Sequence, residues 1–346
     1  MIVSLQHLNE KFVYAASTLL SKTINANKDL KSISFNKILC IRLDEIGDLC
    51  YSLHVFDLLK QKFPNAEITL LCKSFSVSLV QNHPSINKVI TDFKELNHNY
   101  DLIIELRGSW KSIYFAAQHK PIARLDRATI RLQNKKSGKH PHEVITNLQI
   151  IEPLLDFDVE YPEPKIYLNS SDEQKALAFL KENKINQFAV FHTQARKKLR
   201  RWDENNFVEL ANYINKKYKL DIIFIGSRDE YSAIEKIQNK LNFKSFNIAG
   251  EFNLSEFAAI VSKTKIYIGN ESGPLAIASV CNVPILGLFG PGEPEVFYPY
   301  GKKTEVLHHI LECNPCDQIY CKHSDNPCIN QITVQEAIIK IDYLLK

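Results

Sequence analysis

Residues 37–63, KILCIRLDEIGDLCYSLHVFDLLKQKF, carry an unbroken apolar run, a turn with three acids and a glycine, and then a helical repeat. The run is short enough for a strand buried on both faces. After it Leu49, Leu53, Phe56, Leu59 and Phe63 recur three or four residues apart, as one face of a helix requires. Strand, turn, helix is the unit from which parallel sheets are built. The same pattern returns at AEITLLC (66–72), NKVIT (87–91) and YDLIIELRG (100–108), so this half reads as a parallel sheet with helices on its faces. Residues 156–168, DFDVEYPEPKIYL, contain Pro162 and Pro164 without helical periodicity and read as a linker.

Beyond the linker the scheme repeats. A helix is expected over SSDEQKALAFLKEN, with Ser171 as N-cap and Gln174 three residues on. Strands are expected at QFAVFHT, LDIIFIGS, KIYIGNES and VPILGLFG, and ENNFVELANYINKKY places Phe207, Leu210, Ala211 and Ile214 on one helix face. The fold class is therefore α/β, with two doubly wound halves. Ligands of such sheets bind beyond the carboxyl ends of the strands, which directs attention to the cleft between the halves. The expected divisions are an N-terminal helical extension (1–36), a first domain (37–160) and a second domain (161–346) that includes a cysteine cluster and a terminal helix.

Composition narrows the function classes. The chain has 346 residues, 45% of them hydrophobic, enough for two cores. Its 43 Lys and Arg against 39 Asp and Glu give a net charge of +4, too mild for an obligate nucleic-acid binder and suited to anionic small molecules. Walker A, G-x-G-x-x-G and G-x-S-x-G patterns do not occur, which argues against a P-loop NTPase, a nicotinamide dehydrogenase and an α/β-hydrolase. Glu10 and Lys11 interrupt the opening apolar run, so no secretory signal is read there and no segment is long enough to span a bilayer. The expected location is the cytoplasm, with the eight cysteines mostly reduced. Phe12, Ala15, Ala16, Leu19 and Leu20, set among Lys11, Lys22, Lys28 and Lys31, would suit a helix on an anionic membrane face. Packing against the protein's own body is the preferred reading of that helix.

Each strand end carries chemistry. Asp48, after Gly47, falls near a helix start where a carboxylate is favoured by the dipole, so a capping role competes with a catalytic one. In IYIGNESGPLAIASV, Gly273 and Pro274 open a helix whose free amides suit a diphosphate, Ser272 adds a hydroxyl, and Glu271 suits sugar hydroxyls. FHTQARKKLRRW brings Arg196, Lys197, Lys198, Arg200 and Arg201 to another strand end, either as a solvated loop or as neutralising charge for a departing diphosphate. IFIGSRDE adds Gly226, Asp229 and Glu230, a ribose-binding carboxylate or a helix-start charge pair. Cys313, Cys316, Cys321 and Cys328 form C-x2-C-x4-C-x6-C. Four thiols so close can bind zinc tetrahedrally, but the spacing is not that of a zinc ribbon, and reduced thiols or conditional disulfides are preferred.

Taken in order over residues 37 to 340, these motifs resemble glycosyltransferase family nine, the heptosyltransferases of the lipopolysaccharide inner core. The likeness rests on the opening strand and GD turn, DLIIELRGSWKS, HEVITNLQIIEPL, RRW, GNESGPLAIAS and LFGPGEP. It implies a GT-B architecture, two facing Rossmann-like domains with the active site between them. It also implies inverting transfer from a nucleotide diphosphate sugar, typically ADP-heptose, to a lipid-linked saccharide at the inner face of the cytoplasmic membrane, with no cofactor required. By resemblance Asp48 is the general base and Arg200 or Lys198 the phosphate cation. The expected donor contacts are Gly47, Thr193, Lys198, Gly226, Glu230, Glu271, Ser272, Gly273, Pro274 and Gly290. Arg42 and Arg107 are the acceptor candidates. Glu271 replaces the commoner Asp, and Ala276 stands where many members have His, which keeps a different nucleotide sugar in play. A catalytically inactive binding protein of the same fold is the alternative of another class.

Overall fold

A computed structural model describes residues 2–97 and 99–346, with Met1, His98 and the side chains of residues 2–10, Glu10 among them, outside the description. The chain divides into two units, 1–167 and 168–346. The boundary thus falls at the end of the proline-containing linker rather than at 160/161, and the N-terminal helix Ile2–Ile24 belongs to the first unit.

Among the described residues of the first unit, β1 (Lys37–Arg42), β2 (Glu67–Cys72), β3 (Lys88–Ile90), β4 (Leu102–Arg107) and β5 (Ala123–Asp126) form a parallel sheet in the order β3-β2-β1-β4-β5. The central strands are buried along almost their whole length, which is why they read as continuous apolar runs. In the second unit β6 (Phe188–His192), β7 (Asp221–Phe224), β8 (Phe246–Asn247), β9 (Ile266–Asn270), β10 (Ile285–Phe289) and β11 (Thr304–His308) follow the order β11-β10-β9-β6-β7-β8, again all parallel. Both are Rossmann-like sheets. The order reverses between β1 and β4 in one unit and between β6 and β9 in the other, and at such reversals adjacent loops part to leave a crevice.

Local chemistry explains the departures from expectation. The helical face expected from Leu49 to Phe63 is cut at Tyr51–Ser52, where the Ser52 hydroxyl donates back to the Leu49 carbonyl at 2.8 Å, leaving helices Ile46–Cys50 and Leu53–Lys62. Asn169 rather than Ser171 caps the helix Ser170–Glu182, accepting from the Asp172 amide at 2.7 Å. β5 was hidden because its sequence, ARLD, is half charged. Its charges are buried and mutually satisfied. Arg124 pairs with Glu105 of β4 and with Asp126, while Ser17 and Ser21 of the N-terminal helix donate to Asp126 at 3.0 and 2.6 Å. Arg124 also donates to the Ser17 carbonyl at 2.8 Å. The helix is thereby fastened to the body of its unit, as preferred from the sequence.

Removing the cation from this buried cluster leaves Glu105 without its countercharge. Arg124→Ala should therefore destabilise the first unit by about 3–5 kcal/mol, the usual cost of breaking a buried pair from one side. Urea denaturation followed by circular dichroism measures this, and a loss within about 0.5 kcal/mol, as for an ordinary surface change, would contradict it.

Candidate functional site

The first unit presents its chemistry where β1 meets β4. Arg42, the last residue of β1, is only 1% exposed. Its guanidinium donates to the Asp48 carbonyl and to the Leu106 carbonyl, both at 2.6 Å, and to Glu143 Oε1 at 3.3 Å. Its Nε lies 3.1 Å from Asp44 Oδ1 and Nη2 lies 3.7 Å from Asp48 Oδ1. The expectation that Arg42 meets the acceptor is corrected here, because its charge and most of its donors are spent inside the fold. Arg107, at the end of β4, is half-buried.

Asp48 does not cap its helix. Glu45 occupies that position, without a side-chain bond, and Asp48 lies within the first turn of Ile46–Cys50 beside Gly47. The capping explanation for Asp48 is thus removed. Asp44 is half-buried beside Arg42, and its pKa is pushed up to about 6, chiefly by burial and against the pull of Arg42.

Three further residues complete this network. Glu143 takes a two-pronged bond from Arg127, 2.8 Å on each side, with Arg131 at 3.3 Å. Burial alone would raise the Glu143 pKa, but Arg127 and Arg42 outweigh it and hold it down at about 2. Asn147, one turn further along the helix Glu143–Ile151, accepts from Arg42 at 3.4 Å and donates to the Tyr51 carbonyl at 3.0 Å. Glu143 and Asn147 stand at i, i+4 on one face of a helix that also carries Thr146 and Gln149, a spacing that the sequence offered.

In the second unit the loops after β6 and β9 meet. Asn270, fully buried, donates to the Thr193 carbonyl at 2.9 Å and accepts from the Trp202 amide at 3.1 Å. One side chain therefore closes the cationic loop from end to end. Within that loop Arg200 Nη1 lies 3.0 Å from Glu271 Oε1. Lys198 is exposed, and Thr193 is buried. Of the two cations left open by the sequence, Arg200 is the one placed against the sugar-binding candidate.

Glu271 is 6% exposed, and its Oε2 has no hydrogen-bond partner among the described residues. Burial holds its carboxyl above the usual range, with Arg200 pulling the other way. A buried carboxylate oxygen left unpaired is costly unless a ligand completes it. Ser272 is the N-cap of the helix Gly273–Val280 but makes no capping bond. Its hydroxyl instead meets the Asn270 carbonyl and His192 Nδ1, each at 3.0 Å. The helix start, with Pro274 in its first turn, thus keeps its amides open to an anion.

His192, which the sequence reading passed over, links two expected donor residues. Its Nε2 lies 3.8 Å from Glu230 Oε2, on the side away from Ser272. Burial tends to raise the Glu230 pKa, but bonds from His192 and Ser227 hold it near 2. Glu230 also serves its own helix start by accepting from the Ser227 amide at 2.8 Å, the helix-start role that the sequence offered for it. Gly226, two residues past β7, lies against Glu230, and the Gly290 carbonyl accepts from Asn314 at 3.1 Å. Gly292, also missed, is close enough to Glu271 that a Cβ there would lie 2.0 Å from Oε2.

The four terminal cysteines are free thiols lining a cavity of about 260 Å³ against Leu199 and Pro291. Among the described residues no three His, Cys, Asp or Glu side chains are grouped to hold a metal ion.

This geometry, an open helix start, a loop cation and an orphaned carboxylate at a Rossmann switch point, suits a sugar bearing a diphosphate. A model of glycosyltransferase family 9 (heptosyltransferase) matches residues 91–325, well over half of the chain. The chain belongs to glycosyltransferase family 9. It is similar to the lipopolysaccharide core heptosyltransferase OpsX of Haemophilus influenzae, 24% identical over 300 residues, covering 78% of this chain and 84% of that one. Among solved structures, the family 9 glycosyltransferase of Veillonella parvula superposes with a TM-score of 0.79 at 18% identity, covering 91% and 98% of the two chains. E. coli ADP-heptose LPS heptosyltransferase II superposes at 0.72 with 20% identity, covering 89% and 98%. As a family 9 glycosyltransferase, the protein has the two Rossmann-like domains of the GT-B architecture.

Two predictions follow from the side chains of this family 9 site. Since the fold raises Asp44 from the ordinary 3.8 to about 6, its neutral form is the stabilised one. That contribution is whole below about pH 4 and is lost as pH rises through about 6. Asp44→Asn should therefore gain stability relative to the parent across that interval, as paired urea midpoints between about pH 4 and about pH 8 would reveal; a constant difference would refute the placement. Gly292→Ala should fold, because the three atoms nearest the added methyl all belong to the carboxylate end of the Glu271 side chain. By pushing that carboxylate aside it should weaken nucleotide-sugar binding about tenfold or more, read by calorimetry, and unchanged affinity would take Glu271 out of the site.

Proposed function

We propose that this glycosyltransferase moves a heptose, with inversion, from ADP-heptose to a hydroxyl of the lipopolysaccharide inner core or a related lipid-linked glycan. The observation that carries this reading is Glu271, whose buried Oε2 lacks a partner among the described residues while Oε1 is held by Arg200. Sugar hydroxyls would satisfy the free oxygen. The diphosphate would take the guanidinium and the open amides of Gly273–Val280.

In the proposed reaction the acceptor oxygen bonds to the anomeric carbon as its proton passes to the Asp48 carboxylate. The bond from that carbon to the diphosphate oxygen breaks, and its electron pair leaves with the diphosphate. Arg200, with Lys197 and Lys198 nearby in sequence, stabilises the charge that develops there. These cations supply the countercharge, so the scheme calls for no cofactor. The name of the related E. coli enzyme supports the choice of ADP-heptose, and that of the H. influenzae relative supports the core acceptor. Ala276, buried in the helix that opens the donor site, favours a second reading in which another nucleotide sugar is the donor.

We place the protein in the cytoplasm, peripheral to the inner face of its membrane. Among the described residues no helix is long and apolar enough to cross a membrane. Support for the surface association comes from Phe12 and Leu19, 60% and 67% exposed between Lys11 and Lys22, and from Trp110 and Tyr114 on the helix Trp110–His119.

One experiment tests both donor and base. Calorimetry with ADP-heptose and with UDP- and GDP-sugars should select ADP-heptose, and Asp48→Asn should bind it as the parent does while turnover falls by roughly two to four orders of magnitude. Preference for another nucleotide sugar would transfer the reading to that donor. Parental turnover in Asp48→Asn would remove the base, and loss of binding together with early melting would make Asp48 structural.

A further inference from the structure

The cationic loop is held from a second side. Arg200 Nε donates to Gln318 Oε1 at 2.7 Å, and Lys197 Nζ donates to the Asp317 carbonyl at 3.2 Å. Both acceptors lie in the segment that carries Cys313, Cys316, Cys321 and Cys328. Asn314 of the same segment donates to the Gly290 carbonyl at 3.1 Å and, over 3.8 Å, toward the Cys328 sulfur. The cysteine segment therefore touches the donor site at Lys197, at Arg200 and at the loop after β10.

Gln318 stands out within it. Its backbone has φ 61°, a left-handed conformation that a side chain other than glycine adopts at some cost. The turn before it is fixed by Asp317 Oδ1, which accepts from the Ile319 amide at 3.0 Å. The side chain so presented is a neutral acceptor. An amide oxygen can orient a guanidinium without cancelling its charge, whereas a carboxylate would do both. Arg200 already has one carboxylate partner, Glu271, and a second would leave little net charge for a diphosphate.

We propose that Gln318 is a positioning residue for the donor diphosphate, fixing Arg200 by a neutral hydrogen bond so that its charge remains available to the leaving group. The inference rests on the proposed role of Arg200. The cysteine-bearing segment becomes, on this view, the far wall of the donor site, and its conformation is felt by the nucleotide through one guanidinium.

The test uses the full chain, with ADP and inorganic pyrophosphate as calorimetric probes and melting temperature as the control for folding. Gln318→Ala should weaken both probes by about tenfold, the effect of one hydrogen bond to a charged group. Gln318→Glu should weaken them further, since it keeps the bond and adds the opposing charge. In an Arg200→Ala background, Gln318→Ala should change nothing more. Affinity that is unchanged in Gln318→Ala, or better in Gln318→Glu than in Gln318→Ala, would overturn the inference. So would equal losses with and without Arg200, which would mark Gln318 as a support for the segment alone. Parental affinity in Arg200→Ala would instead bring down the proposed role of Arg200, and the inference with it.

Discussion

The buried guanidinium of Arg42 is the interaction on which the first unit's chemistry depends. It ends the first strand, reaches the carbonyl of Leu106, next to last in the neighbouring strand, and holds the carbonyl of Asp48 in the turn that follows the first strand. A cation so far from water is tolerable only with countercharge and good hydrogen bonds around it. Glu143 supplies the charge, Asp44 lies beside the Nε, and Asn147 ties the arrangement to the turn at Tyr51. Arg127 and Arg131 then balance Glu143. The candidate base is consequently carried on a turn whose backbone is bonded to a rigid charged cluster, the kind of support that keeps a reacting group within reach of its target.

The second unit meets the same topological problem with a neutral group. Asn270 ends β9 and binds both ends of the loop after β6 through its amide. Trp202, at the close of that loop, is sealed in the core and donates to the Ile332 carbonyl at 2.8 Å. Within a loop pinned at its ends and packed at one of them, the cations have few places to go. A loop that was a charge run in sequence becomes a defined surface because of one asparagine and one tryptophan.

Much of this was legible from residue order. The buried runs of β1, β2, β4, β6, β9 and β10 are too apolar and too short for other elements, and the helical repeats between them oblige the sheets to be parallel. β5, β8 and β11 were not legible, since the first hides its charges in pairs, the second is two residues long, and the third sits at the sheet edge with little apolar content. Glu271, Ser272, Arg200 and Asp48 could be named because glycines, a helix-start proline and a charge run mark strand ends. Arg42 was misplaced because a charged residue at a strand end looks the same in sequence whether it faces a ligand or the core. Gly292, His192 and Gln318 act through side chains distant in the chain, and no local pattern reports such contacts.

Ser272 has a broader consequence. It occupies the cap position of the helix Gly273–Val280, yet it turns its hydroxyl toward His192 and Asn270. The helix is thus built one cap short, and a bound diphosphate would serve as that cap. With a diphosphate there, substrate and secondary structure would share one set of hydrogen bonds, and the nucleotide sugar would take part in the folding equilibrium of the unit that binds it. Donor bound at this helix start would in that way stabilise the folded second unit by mass action, as well as supply the reaction.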